Sequence, residues 1–189
     1  MESALIVART GNSISYFSEI LNADSYKQIV ALPSCGEARR LLLERYFDLV
    51  IINTPLQDES GENLSRYIAS QGDSQVILVV KSEYFDEISA ITENDGVLVV
   101  AKPINRNIFW TTLKLAKAAQ IRFKKMQTEN EKLKQKIEDI RIIDRAKCIL
   151  ISHLNISEQE AHRFMEKQAM DMRTTRRAIA EEVLKTYES

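Results

Sequence analysis

Asp48-Leu49-Val50-Ile51-Ile52-Asn53-Thr54-Pro55 is a short run of aliphatic, mostly β-branched residues, bounded by polar groups and closed by a proline. Nothing polar interrupts Leu49 to Ile52, so neither face of this segment is prepared for water. It reads as a strand buried on both sides, the signature of a parallel sheet. Four runs of the same kind flank it: ALIVA (4–8), QIVAL (28–32), QVILVV (75–80) and VLVVA (97–101). Between them lie amphipathic segments, SISYFSEIL, EARRLLLERY, ENLSRYIAS and EYFDEISAI. Strand-like runs alternating with helix-like ones predict an α/β fold, a five-stranded parallel sheet doubly wound with helices on both faces.

All five glycines and all three prolines of the 189-residue chain precede residue 104, and the remainder is helical in pattern throughout. Ala116, Ala119, Phe123, Met126, Asn130, Leu133, Ile137 and Ile140 follow alternating spacings of 3 and 4, the a/d seam of a coiled coil. Asn130 falls at an a position, where one polar residue specifies register and partner number. Glu129 would face Lys134 of a partner helix attractively, whereas Lys136 and Arg141 would repel. The competing reading is one long helix packed on its own domain. The seam spacing changes near Asp144, and Leu154-Asn155-Ile156 breaks the helix. Ser157 and Glu160 then form a capping box for a second short helix, and Thr174 or Thr175 caps a third. The expected domains are a sheet domain over 1–110, a coiled-coil dimerisation helix over 111–141, and a small three-helix domain over 142–189.

Composition narrows function. The formal net charge is −1, so any nucleic-acid surface must be local. Cys35 and Cys148 sit in no metal spacing, and His153 and His162 are isolated, so neither metal nor cofactor is expected. No nucleophile–base pair or phosphate loop argues for an enzyme. The N-terminus lacks a charged segment before an apolar one, and no apolar run approaches the ~20 residues of a membrane span, which predicts a cytoplasmic protein.

On strand order, the D-L-V-I-I-N-T-P segment and Lys102-Pro103 after the fifth run, residues 1–120 resemble the receiver domains of two-component response regulators. The resemblance implies an acidic pair after strand one, an aspartate ending strand three, a hydroxyl residue ending strand four, and a lysine. The acids would hold Mg²⁺, and the aspartate would accept a phosphoryl group. Here Ala8 and Arg9 replace the acidic pair, Asn53 stands at the phosphoacceptor position and Val80 at the hydroxyl position; only Lys102 remains. An amide is no nucleophile and Arg9 opposes a metal ion, so a pseudo-receiver without phosphorylation is expected. Asp58, in the following loop, is the one substitute acceptor to consider.

The helical tail resembles the ANTAR domain, the RNA-binding module of transcription antiterminators. Ala146-Lys147 with Ile149-Leu150, Ser157-x-x-Glu160-Ala161, Ala169-Met170, the 173–177 stretch and Ile179-Ala180 carry the match; Cys148 departs from a common glycine. The resemblance implies a dimer that binds a hairpin in a nascent leader transcript, under the control of a sensor or inhibitor protein. Residues 141–189 hold nine Lys and Arg against eight Asp and Glu, so the domain is not a basic block. Its cations are grouped, however: Arg145 and Lys147 on the first helix, then Arg173, Arg176 and Arg177, with Thr174 and Thr175 at a helix start that suits phosphate. These are the expected RNA contacts. A protein-docking tail and a helix-turn-helix-like DNA contact are the competing readings.

Overall fold

The computed structural model describes residues 3–24, 26–72 and 74–187. Along the chain run β1 (Ser3–Ala8), α1 (Gly11–Ala23), β2 (Gln28–Leu32), α2 (Cys35–Glu44), β3 (Leu49–Asn53), α3 (Glu62–Gln71), β4 (Gln75–Lys81), α4 (Phe85–Thr92), β5 (Leu98–Lys102), α5 (Arg106–Leu154), α6 (Glu158–Asp171) and α7 (Arg176–Tyr187). The chain divides into two compact units, Met1–Lys124 and Lys125–Ser189.

In the first unit the five apolar runs form one parallel sheet in the order β2-β1-β3-β4-β5. β3 is central, and all five of its residues are buried, which is why its sequence tolerates no polar alternation. Phe17, Ile20 and Leu21 of α1 pack with Phe109 and Leu113 of α5 over Ile6, Ile51 and Val79. The Phe17 and Phe109 rings lie 5.2 Å apart, and burying each contributes about 2–3 kcal/mol. On the opposite face Cys35, Ala38, Leu64 and Ile68 of α2 and α3 cover Leu5, Val7, Val50 and Ile52. Gly61 introduces α3 with φ +83°, and a Cβ there would come within 2.8 Å of Ile52, so only glycine lets the loop cross β3 this closely.

The sheet order reverses between β1 and β3, so the loops leaving their carboxyl ends diverge and open a crevice. The register sets Ala8 beside Asn53 and Lys81 beside Lys102 at this edge.

The first unit extends to Lys124, beyond residue 110 where the sequence suggests that the domain ends, because α5 is pinned along its early turns. Phe109, Leu113 and Ala116 are core residues. Lys114 and Lys117 reach the buried Asp24. Gln120 Nε2 donates to the Asp48 carbonyl at 2.8 Å, and Lys124 pairs with the Asp48 carboxylate. Ala116, at the head of the expected seam, therefore serves its own core. Phe123 also lies close to its own domain, 3.5 Å from where a Cβ of Gly72 would be.

In the second unit the later part of α5 joins α6 and α7 around Ala146, Leu150, Ala161, Met165, Ala169, Ile179, Ala180 and Val183. Four alanines in this core let the helices approach closely. Asn155, at φ 53°, ends α5. The expected capping box forms: the Ser157 hydroxyl accepts from the Glu160 N–H at 3.3 Å, and the Glu160 carboxylate accepts from the Ser157 N–H at 2.8 Å. α6 closes with Arg173 in the left-handed region, its N–H bonded to the Met170 carbonyl and that of Thr174 to the Ala169 carbonyl. This is the paired closure of a Schellman motif with arginine in the usual glycine position. Between the two candidate caps of α7 it is Thr175 whose hydroxyl accepts from the Ala178 N–H, at 3.2 Å.

Candidate functional site

Two places gather the predicted residues, one in each unit. At the carboxyl edge of the sheet, Asn12, Ser13, Tyr16, Phe17, Asn53, Lys102, Pro103 and Ile104 line an open pocket of about 400 Å³. Asn53 is 7% exposed, and among the described residues its Oδ1 meets no hydrogen-bond partner; the Tyr16 hydroxyl is likewise buried and unpartnered. Lys102 donates to the Thr54 carbonyl. Burial, together with the Lys81 charge, holds its ammonium below the usual lysine range.

The other degenerate positions do not converge here. Ala8 is wholly buried, and Arg9 is exposed just past β1. Val80 packs in the apolar cluster on the α2–α3 face, opposite to that of Val79. No carboxylate lines the pocket, and an amide with an ammonium is no ligand set for Mg²⁺, which takes charged oxygen donors. The residues present do not fit the metal that the receiver resemblance implies.

Asp58 sits elsewhere, at the start of α2, where its carboxylate accepts from the N–H groups of Cys35 and Gly36 at 3.1 and 2.8 Å. Burial would raise its pKa, but these backbone bonds win and hold it below the usual aspartate range. Cys35, Asp58 and Glu59 form the one group of potential metal ligands within 4.8 Å of one another among the described residues. Glu59 is bonded to Arg39 at 3.0 Å. Burial first, then the two acids, pushes the Cys35 thiol up to about 12.

In the second unit, Gln135, Lys136, Asp139, Ile140 and Ile143 of α5 face Thr175, Arg176 and Arg177 across a groove of about 480 Å³. Arg177 bonds Asp139 at 2.6 Å and Glu181 at 2.8 Å, which raises its pKa and fastens the start of α7 to α5. Arg176, which also lines the groove, lies 3.5 Å from Glu166 of α6. Lys147 is mostly covered, its side chain 15% exposed and tied to Asp144 at 2.8 Å and Glu158 at 3.4 Å. The Asp144 hydrogen bond is the main reason its pKa rises. The sequence suggests Arg145, Lys147, Arg173, Arg176 and Arg177 as the RNA contacts; in the fold Lys147, Arg176 and Arg177 have different acidic partners. Arg176 and Arg177 open α7, Lys147 joins α5 to the α6 start, and Arg145 and Arg173 are exposed. Thr174 is exposed, and Thr175 is engaged as a cap. Asp139 and Glu166 were not legible as partners, because they lie 38 and 10 residues from the arginines they hold.

On the part of α5 in the second unit, Met126, Leu133, Ile137 and Ile140 are 52–59% exposed and Asn130 is exposed; in the first unit, Ala119 and Phe123 are exposed. No helix among the described residues is long and apolar enough to cross a membrane.

Comparison with known proteins agrees with both halves. Residues 131–184 match the ANTAR domain family. The transcriptional regulatory protein PdtaR of Mycobacterium tuberculosis is 23% identical over 169 residues, covering 89% of this chain and 82% of that protein. The aliphatic amidase regulator of Pseudomonas aeruginosa is 25% identical over 137 residues, covering 71% of this chain and 69% of its own. Among solved structures, a signal receiver domain of an HD domain-containing protein from Pseudomonas fluorescens Pf-5 superposes with a TM-score of 0.57 at 20% identity, over 66% of this chain and 92% of that one. A receiver domain from Clostridium thermocellum gives 0.56 at 19% identity, over 67% and 99%. The chain thus joins a receiver fold to a segment, 131–184, that matches the ANTAR domain family, and in this it is similar to ANTAR-domain response regulators.

Proposed function

We propose that this regulator acts as a dimer that binds a hairpin in a nascent leader transcript and so prevents a terminator from forming. The observation that carries this reading is the ANTAR match over residues 131–184, with Arg173, Thr174 and Arg176 standing exposed at the turn into α7. Arginine forks suit both phosphate and the faces of unpaired bases, which RNA readers favour over duplex edges. Arg176 and Glu166 are each about half exposed, so exchange of that carboxylate for phosphate costs little.

A gel shift of the full chain with a two-loop RNA hairpin, against duplex DNA, tests it. Arg176→Ala/Arg177→Ala should weaken hairpin binding at least tenfold, and Lys132→Ala should change it little. Asp139→Ala removes the same ion pair that Arg177→Ala removes but keeps the arginine, so binding should survive it. Equal loss in all three, or preference for duplex DNA, would overturn the reading.

The receiver half would then work without phosphorylation, since Asn53 offers no carboxylate and Asp58 is committed to the α2 backbone. Intact mass after incubation with acetyl phosphate and Mg²⁺ should be unchanged. An added phosphoryl group that disappears in Asp58→Asn would refute this.

A further inference from the structure

We propose that a second copy of the chain docks its α4 into the cleft between α2 and α3. Outside α5, the large apolar and aromatic side chains exposed in the first unit fall into two groups among the described residues. Leu43, Tyr46 and Tyr67 line a cleft of about 390 Å³, with Leu43 79% exposed. Tyr84, immediately before α4, and Ile91, in its last turn, make the other group. Exposed apolar groups gathered inside a polar rim mark contact surfaces.

The two groups carry opposite charge. Arg40 lies one turn before Leu43 on the exposed side of α2, and Arg45 lines the cleft itself. Arg45 bonds the neutral Gln28 and lies over the Phe47 ring, and neither arginine has an ion pair among the described residues. Glu44 is the one acid of the lining. From Ser82 to Asp95, by contrast, run five acids and no base. Lys81 holds Glu83 and Arg66 holds Asp95, whereas Asp86 and Glu87, in the first turn of α4, form no ion pair among the described residues.

Phe85 and Ile88 tie α4 to the core of its own copy, and Tyr84, Glu87 and Ile91 are exposed at spacings that put them along one side. An apolar stripe with an acid in the middle thus meets an apolar cleft flanked by arginines. Tyrosine and arginine on the receiving side are the residues that interface centres favour, and the opposite charges set the register. Within one copy α4 is fixed beside α3, so another copy supplies the helix. Each copy offers one cleft and one α4, which makes the contact heterologous and able to extend from copy to copy. It depends neither on RNA binding nor on the α5 seam.

Sedimentation well above micromolar concentration tests this in the full chain carrying Leu133→Asp/Ile137→Asp, where the seam cannot contribute. The mean mass should climb past that of a dimer without a plateau, and less steeply in high salt. Arg40→Glu/Leu43→Asp changes two exposed positions of α2 and should weaken association about tenfold, as should Tyr84→Ala/Glu87→Arg on the other face. The decisive arm mixes these two variants. Each keeps the face that the other has lost, so together they should form a one-to-one complex and nothing larger, which also shows both to be folded. A chain that stays monomeric throughout, or a mixture that gives no such complex, overturns the proposal. So does a loss confined to the α2 variant, which would assign the cleft to a different occupant.

Discussion

Arg173 holds a left-handed backbone, φ 50°, at the closure of α6, where glycine would be unstrained. No side-chain ion pair or hydrogen bond engages its guanidinium among the described residues, so the fold gains nothing visible from the arginine. Arg173→Gly should therefore raise the thermal stability of the helical unit, by about 0.5–1 kcal/mol, while weakening hairpin binding. Calorimetry alongside the gel shift checks both; a fall in stability would show that the side chain supports the turn. Lys147 is the opposite case. It is a sequence-level candidate for RNA, yet the tertiary fold uses it to join Asp144 and Glu158. Which cations were structural was not legible, because their acidic partners come from other helices.

At the level of elements, α5 is the helix on which both units depend. Its hold on the sheet domain centres on Asp48, whose carboxylate meets Lys124, Gln120 and the Ser3 N–H. Burial would raise the Asp48 pKa, but the Lys124 and Ser3 hydrogen bonds outweigh it and hold the carboxyl below the usual aspartate range. A depressed folded pKa stabilises the fold above the unfolded value, and that contribution disappears as pH falls through the folded one. Asp48→Asn should cost about 1–3 kcal/mol at neutral pH. Its deficit relative to the native chain should shrink as the pH drops below the ordinary aspartate value of 3.8, as followed by urea unfolding. A deficit independent of pH would assign the effect to packing rather than charge. Nothing in the sequence marks Asp48 for this role, since Gln120 and Lys124 lie 72 and 76 residues away.

For the whole molecule, the exposed Met126, Leu133, Ile137 and Ile140 put the proposed dimer to the test. Burying Leu133 and Ile137 in both copies would contribute about 1.5–3 kcal/mol per side chain. Sedimentation of the full chain at micromolar concentration should give a dimer, and Leu133→Asp/Ile137→Asp a monomer with unchanged helicity. A native chain that sediments as a monomer would end the coiled-coil reading. Asn130→Leu should raise the melting temperature and loosen the choice of oligomer.

Local pattern determined the elements and the class of the fold. Uninterrupted aliphatic runs between amphipathic segments can bury themselves only as a covered parallel sheet, and each of the five became a strand to within one residue at either end. The capping box at Ser157 was equally legible, being a question of residue identity at fixed spacing. Tertiary structure alone decided where α5 leaves the sheet domain, which cations are engaged, and that Asn53 is buried with an unanswered acceptor beside Tyr16. Those outcomes rest on contacts between side chains far apart in sequence, and burial and charge pairing exist only once the elements have packed.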